Sequence, residues 1–372
     1  MLPEGWVKKT IGDLLTIGNG KDYKHLEPGD IPVYGTGGYM TSVSEFLYDG
    51  ESVCIGRKGT IDKPVFLTGK FWTVDTLFYT HSFRETTPKY IYYNFQRINW
   101  KRYNEASGVP SLSKTTICEI PIIIPPLPEQ KKIAQILSTW DNAISATERL
   151  LENSQQRKKA LMQQLLTGKK RLPGFEGEWE SVRLKKLLKE EKNRNRKNTI
   201  SRVLSVTNHS GFVLPEDQFA KRVASENVTN YKVVLKGQYG YNPSRINVGS
   251  FARLDDYKEG LLSPMYVVFS VIESKLNNDY FLNWMKSDET RKRIAASTQG
   301  TVRDSVGFDS LCNLMIKLPS ISEQKAIARV LTVAAQEIDA LQKRVDHLKQ
   351  EKKALMQQLL TGKRRVQVED SA

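Results

Sequence analysis

Two stretches of this chain are nearly the same text. Lys158-Lys-Ala-Leu-Met-Gln-Gln-Leu-Leu-Thr-Gly-Lys169 recurs letter for letter from Lys352 to Lys363, and Glu129-Gln-Lys recurs as Glu323-Gln-Lys, both at an offset of 194. The 43 positions from Glu129 to Arg171 align without a gap on Glu323 to Arg365 and hold 22 identities, more than a shared heptad pattern would produce. Duplication explains them. The flanks repeat more weakly: Cys118 matches Cys312, Pro125 matches Pro319, and Trp6 with Ile11, Leu14 and Leu15 resembles Trp179 with Leu184, Leu187 and Leu188. From Trp to Glu-Gln the first copy runs 123 residues (6 to 129) and the second 144 (179 to 323), almost without common sequence. The plan is therefore variable, constant, variable, constant.

The constant segments carry a helical stripe with alternating spacings of four and three. In the second it is Ile327, Leu331, Ala334, Ile338, Leu341, Val345, Leu348, Lys352, Leu355 and Leu359; in the first it is Ile133, Leu137, Trp140, Ile144, Thr147, Leu151, Ser154, Lys158, Leu161 and Leu165. That spacing is a coiled-coil seam. Pro128 suits an opening turn, Ser322 is placed to cap the second helix, and Gly168 and Gly362 supply left-handed stops. Each helix should run about 38 residues, roughly 57 Å at 1.5 Å per residue. A seam of that length needs a partner. The intervening segment is long enough to fold the other copy back antiparallel, which puts the variable segments at opposite ends about a pseudo-twofold axis; pairing between chains is the alternative. Lys158 and Lys352 occupy equivalent seam positions and mark either a splayed, solvated zone or a partner contact.

The variable segments have short apolar runs, such as Ser52-Val-Cys-Ile-Gly, Lys63-Pro-Val-Phe-Leu, Ile120-Pro-Ile-Ile-Ile, Lys232-Val-Val-Leu and Met265-Tyr-Val-Val-Phe, punctuated by Gly, Asp and Asn. These read as strands and turns, with helical spacing near 89–103 and 278–296. The expected fold is α+β: a recognition-type domain over 1–125, a helix over 126–170, a second domain over 171–319, a second helix over 320–363, and a short tail over 364–372.

Catalysis is poorly provided for. An adenine methyltransferase holding its own cofactor would need a Gly-rich turn and an Asn/Asp-Pro-Pro-aromatic loop. Tyr241-Asn242-Pro243-Ser244 is the nearest approach, with Ser in place of the second proline and Arg245 where an aromatic belongs. No Gly-x-x-x-x-Gly-Lys-Ser/Thr cradle for a nucleotide is present. His25, His81, His209 and His347 share no close spacing, and Cys54, Cys118 and Cys312 lack metal-ligand spacing, so neither a zinc module nor a disulfide framework is expected. The widely separated, odd-numbered cysteines point to the reducing cytoplasm. The longest apolar runs are too short to cross a bilayer, and the start does not read as a signal peptide.

Binding is better provided for. With 56 Lys and Arg against 41 Asp and Glu the net charge is +15, which favours an anionic partner, nucleic acid first. The first variable segment is nearly balanced, with 14 basic and 13 acidic residues, against 23 and 17 over 172–319, so it must rely on local clustering. Reading base edges needs Arg or Lys for guanine and Asn or Gln for adenine, on turns beside backbone-directed groups. Gly56-Arg57-Lys58-Gly59-Thr60 qualifies, with glycines that allow close approach to a phosphate. Tyr239 to Ser250, carrying Tyr241, Asn242, Arg245 and Asn247, falls at a comparable depth in the second segment. Further candidates are Lys21 and Lys24 after Gly18-Asn19-Gly20, Ser107 and Lys114, and Gln299 with Arg303. Lys185 to Arg202 holds eight basic residues against two acidic, a phosphate-facing stripe or simply solvated surface.

Leu127-Pro-Glu-Gln-Lys-Lys-Ile-Ala, Lys159-Ala-Leu-Met-Gln-Gln-Leu-Leu-Thr-Gly168, Leu172-Pro-Gly-Phe-Glu-Gly-Glu-Trp179 and Ile321-Ser-Glu-Gln-Lys-Ala-Ile-Ala together resemble the specificity subunit of type I restriction-modification systems, over nearly the whole chain. The resemblance implies a non-catalytic chain whose two target-recognition domains each read half of a bipartite, asymmetric site in double-stranded DNA. It implies helices that hold the domains apart and dock two modification subunits, which bind S-adenosylmethionine and methylate adenine at N6. ATP and Mg²⁺ would belong to further restriction subunits, a translocase and nuclease. A coiled-coil scaffold without DNA binding, or a free-standing methyltransferase or nuclease, are the rival classes; the first leaves divergent Arg/Asn/Gln loops unexplained.

Overall fold

The duplicated text folds into duplicated helices, Leu127–Leu165 and Ile321–Leu359, 39 residues each. The computed structural model describes residues 2–208, 210–218, 227–298 and 305–368. Both helices run into a glycine with φ +73, Gly168 and Gly362, in the left-handed region that stops a helix. The second helix is capped two residues earlier than expected: Ser320 Oγ accepts from the Glu323 amide at 3.3 Å, and Ser322 lies inside the first turn.

The chain divides into two units, Met1–Arg149 with Gln342–Ala372, and Leu150–Leu341. Each unit thus holds one variable domain, the first part of the helix that follows it, and the last part of the other helix. Within the first unit the helix parts run antiparallel, with Lys349 on Glu148 at 2.7 Å and Lys352 on Asp141 at 2.5 Å. Within the second, Ser154 meets Glu337 at 3.1 Å while Arg171, past the end of the first helix, reaches Glu323 at the start of the second. The pairing is therefore intramolecular in both.

Every apolar seam position is buried or half-buried. Where the stripe meets a variable domain it widens, because the helix there faces both its partner and a domain core. Ile133, Ala134 and Leu137 with Leu359 and Leu360 close the first core, and their repeat equivalents Ile327, Ala328 and Leu331 with Leu165 and Leu166 close the second. Lys352 is no solvated interruption. It is 9% exposed, its ammonium bonds Asp141 and Gln96, and it lies 5.2 Å over the Tyr93 ring.

The variable domains share a topology that their sequences hide. The first has an antiparallel sheet ordered Thr16–Asn19, Leu77–His81, Ser52–Gly56, Val65–Leu67; the second has Leu188–Glu190, Val267–Val271, Tyr239–Tyr241, Phe251–Arg253 in the same order and sense. In each a helix follows, Pro88–Arg97 or Asn278–Lys286. A two-stranded ribbon closes each domain, Val7–Thr10 with Pro121–Ile124 and Glu180–Arg183 with Met315–Leu318. The first domain adds a second four-stranded sheet over Pro28–Thr73, and the second adds two antiparallel pairs instead, the hairpin Ser205–Thr207 with Gly211–Val213 and the longer-range pair Lys232–Leu235 with Glu259–Leu262.

The repeated Glu-Gln pair attaches helix to domain. Gln130 Oε1 accepts from the Thr87 amide at 3.0 Å and the Thr86 hydroxyl at 2.9 Å, and its amide donates to the Glu85 and Pro125 carbonyls. Gln324 repeats this on the Asn277 amide and the Lys275 and Pro319 carbonyls. Thr87 and Asn277 are the N-caps of the two domain helices, so one buried glutamine in each unit fixes the angle at which domain and long helix meet. Its neighbour, Glu129 or Glu323, is 5% or 1% exposed and is bound by the arginine that ends the other copy, Arg365 or Arg171. Trp6 donates to Glu129 at 3.3 Å as well, tying in the start of the chain.

Candidate nucleic-acid interface

In the first domain the turn between the third and fourth strands is held rigidly. A Cβ on Gly56 would lie 2.0 Å from the Thr60 carbonyl oxygen, and Gly59 has φ +95. Gly56 is thus required by the turn's own backbone and Gly59 by its positive φ, whatever else they allow to approach. The Arg57 and Lys58 amides both donate to the Thr76 carbonyl (2.8 and 3.3 Å), and the Arg57 carbonyl accepts from Leu112 at 2.9 Å. With the backbone anchored, the Arg57 and Lys58 side chains stand exposed.

Beside them Lys114 opens the helix Lys114–Glu119, whose N-cap Ser113 accepts from the Thr116 amide. Arg57, Lys58, Asn19, Asp75, Glu105 and Lys114 line one cleft of about 590 Å³. Glu105 is already engaged: hydrogen bonds from Thr116 and Ser113 hold its carboxyl below the usual range. The cleft therefore presents three cations and the Asn19 amide, a donor set for phosphate oxygens and base edges, together with the exposed Asp75 carboxylate, an acceptor for a base amino group. Of the expected residues it unites Arg57, Lys58 and Lys114. Thr60, Ser107, Lys21 and Lys24 lie outside its lining; Ser107, Lys21 and Lys24 are exposed, and Thr60 is half-buried. Lys21 is held by its main chain, donating to Thr73 and accepting from the Trp72 indole, both at 2.8 Å. Asn19 was missed as a site residue although it sits between two glycines beside Lys21; strand pairing with Phe78 is what brings it to the cleft.

The second domain uses the same strand connection, 242–250. Tyr241 must be withdrawn as a contact residue: it is 0% exposed, packs against Phe269 in the core, and burial pushes its phenol well above the usual range. It is the last residue of a central strand, where alternation alone cannot distinguish core from surface. Asn242 and Asn247 are half-buried and turn their oxygens onto the Ser244 and Val248 amides, so they shape the loop, while Arg245 is exposed. The Val306 amide, the repeat equivalent of Leu112 at the offset of 194, bonds the Pro243 carbonyl at 2.9 Å and so ties down the corresponding loop, although Pro243 is not itself at the repeat position of Arg57. Gln299 and Arg303 lie outside the described residues.

Among the described residues no group of three or more His, Cys, Asp or Glu is placed to hold a metal ion. Cys54 and Cys312 are desolvated thiols, pushed up to about 12 and about 11, unsuited to act as nucleophiles. Among those residues no helix is long and apolar enough to cross a membrane.

Two α+β domains of one topology, each closed by parts of two duplicated helices and each offering a basic or amide-bearing loop at one strand connection, define a two-module binding protein. The sequence model of the type I restriction modification DNA specificity domain matches residues 3–153 and 176–350, and the chain belongs to that family. It is 26% identical over 348 residues to the type I restriction enzyme MjaVIII specificity subunit of Methanocaldococcus jannaschii, covering 86% of this chain and 78% of that one. The putative MjaX specificity subunit of the same organism is 26% identical over 308 residues, 75% and 68% of the two chains. Among solved structures, a type I restriction-modification S subunit from M. genitalium superposes with a TM-score of 0.66 at 14% identity, covering 95% of this chain and 96% of that one. A chain from a study of assembly and conformational transition of the type I system gives 0.56 at 14% identity, covering 97% and 99%.

Proposed function

We propose that the chain is the DNA sequence-specificity subunit of a type I restriction-modification enzyme, with each domain reading one half of a bipartite, asymmetric target. A single observation carries the reading: the parts of the chain that are nearly identical are helices and their anchors, whereas the parts that diverge present candidate contact loops at the same strand connection of the same sheet. Conserved geometry with altered loop chemistry is what two readers of different half-sites require.

The long helices set the spacing. Roughly 57 Å of helix corresponds to about 17 base pairs at 3.4 Å each, enough for two contacts with untouched pairs between them. The helices also dock two modification subunits, and catalysis belongs to partners: S-adenosylmethionine on the modification subunits, ATP and Mg²⁺ on restriction subunits, in the cytoplasm. In the first domain Arg57, Lys58 and Lys114 line the contact cleft, and Lys21, Lys24, Thr60 and Ser107 are further contact residues; in the second, Arg245 contacts the DNA and Asn242 and Asn247 hold the loop, with Gln299 and Arg303 as further contact residues of the sequence. Methylation-sensitive sequencing of DNA from a host carrying this chain with its modification partner tests the reading. A two-part adenine motif supports it; unmodified DNA with an active partner, or a motif unaltered when this chain is removed, overturns it.

A further inference from the structure

The two units contain equivalent crevices between long helix and domain, of about 710 Å³ in the first and about 690 Å³ in the second. Lys352, Lys353, Met356 and Gln357 line one, and their repeat equivalents Lys158, Lys159, Met162 and Gln163 line the other. Their charge is settled differently. In the first, Asp141 binds Lys352 and Glu148 binds Lys349. At the offset of 194 those carboxylates are replaced by Ala335 and Gln342.

The half-buried Lys158 accordingly has no carboxylate partner among the described residues, and Lys286 lines the same crevice. Desolvation lowers the affinity of both ammonium groups for their protons, and at Lys286 repulsion from Lys158 adds to it. The acidic groups nearby are committed elsewhere: Asp288 to Lys159 at 3.4 Å, Glu289 to Arg293, and Asp255 to Arg253 at 2.7 Å. Arg291 and Lys292 add further positive charge to the lining. Two cations that share one crevice and repel each other are stable together when an anion joins them, and Lys acts toward phosphate as a point charge.

The crevice lies at the start of the helix Asp288–Thr298, which packs beside Ile246–Val248 of the candidate DNA loop. We propose that Lys158 and Lys286 form a phosphate site that takes a backbone phosphodiester of DNA, positioning the second domain without reading sequence. The first unit fills the same place with its own Asp141. The DNA assignment rests on the functional reading above; the affinity for phosphate does not.

The test uses the full chain in two arms. In the first, thermal unfolding is followed with inorganic phosphate against chloride at matched ionic strength, for the native chain, Lys158→Gln, Lys286→Gln and Ala335→Asp. A phosphate-specific rise in midpoint is expected, with about tenfold more phosphate needed in either Gln variant. Ala335→Asp, which imports the carboxylate of the first unit, should abolish the response while leaving the chain folded. In the second arm, binding to a nonspecific duplex is measured against salt, and Lys158→Gln should reduce the slope of log K on log salt by about one. Equal responses to phosphate and chloride, or a response that survives in all three variants, overturn the site. A phosphate response with an unchanged DNA salt slope overturns the phosphodiester assignment and leaves a site for a free phosphate. A phosphate response in a chain that binds no DNA even when assembled with its modification subunits contradicts the functional reading instead.

Discussion

Single side chains decide how the repeat is used. Gln130 and Gln324 each satisfy an N-cap amide and a proline carbonyl that water cannot reach easily, so Gln130→Leu or Gln324→Leu should cost about 2–4 kcal/mol through several buried groups left unpaired. Denaturant unfolding of each variant measures this, and an unaltered midpoint would refute the anchoring role. Lys158 makes the opposite case. Its folded-state proton affinity lies below the unfolded one because of burial, so the charged form destabilises the fold at neutral pH; that penalty begins to fall once pH passes the depressed folded value and is gone above the ordinary lysine value of the unfolded chain. Lys158→Met should therefore raise stability at neutral pH, with the advantage shrinking toward the ordinary lysine range. A gain independent of pH would point to packing alone. At Lys352, where Asp141 compensates the charge, Lys352→Met should destabilise by stranding the carboxylate and Gln96.

Elements show which parts of a divergent domain are held constant. The third-to-fourth strand turn is pinned at Arg57 by Thr76 and Leu112 and at Pro243 by Val306, so its backbone position survives almost complete replacement of the side chains. In the first domain, Arg57→Ala and Lys114→Ala should each weaken DNA binding. A change in the preferred half-site would mark a base contact, whereas a uniform loss with a shallower salt dependence would mark a phosphate contact. Electrophoretic shift assays against a randomised half-site separate the two, and full affinity in the double variant would exclude this cleft. Tyr241→Phe tests the corrected assignment: its hydroxyl has no partner among the described residues, so the substitution should leave both DNA binding and stability nearly unchanged.

At the scale of the molecule, each long helix contributes to both units, and each unit is completed by the end of the other copy's helix. Exchanging 172–319 for another domain of this family should change one half-site and preserve the other; altered specificity at both would refute modular reading. One or two helical turns added near Ser154 should lengthen the recognised spacer with both half-sites intact, by about 5 or 11 Å, or roughly two to three base pairs. An unchanged spacer would mean that the helices do not measure distance.

The repeat, the helical stripe, the glycine stops and the lack of a nucleotide cradle were all legible in the chain, because near-identity and a period of 3.5 are local properties that survive without coordinates. The antiparallel fold-back followed from the length of the intervening segment, whereas the common sheet order of the two domains was not legible, since strand order depends on contacts between residues tens of positions apart. The cleft shows the same division. Arg57, Lys58 and Lys114 carried the right chemistry in the text, but only the pairing of strands and the Leu112 to Arg57 bond placed them with Asn19 around one space. Tyr241 had suitable chemistry and went to the core, and two identical lysines at one seam position, 158 and 352, acquired different roles because of a carboxylate on another helix. Residue type sets what a side chain is able to do; which groups surround it, and how much water they exclude, is decided by the fold.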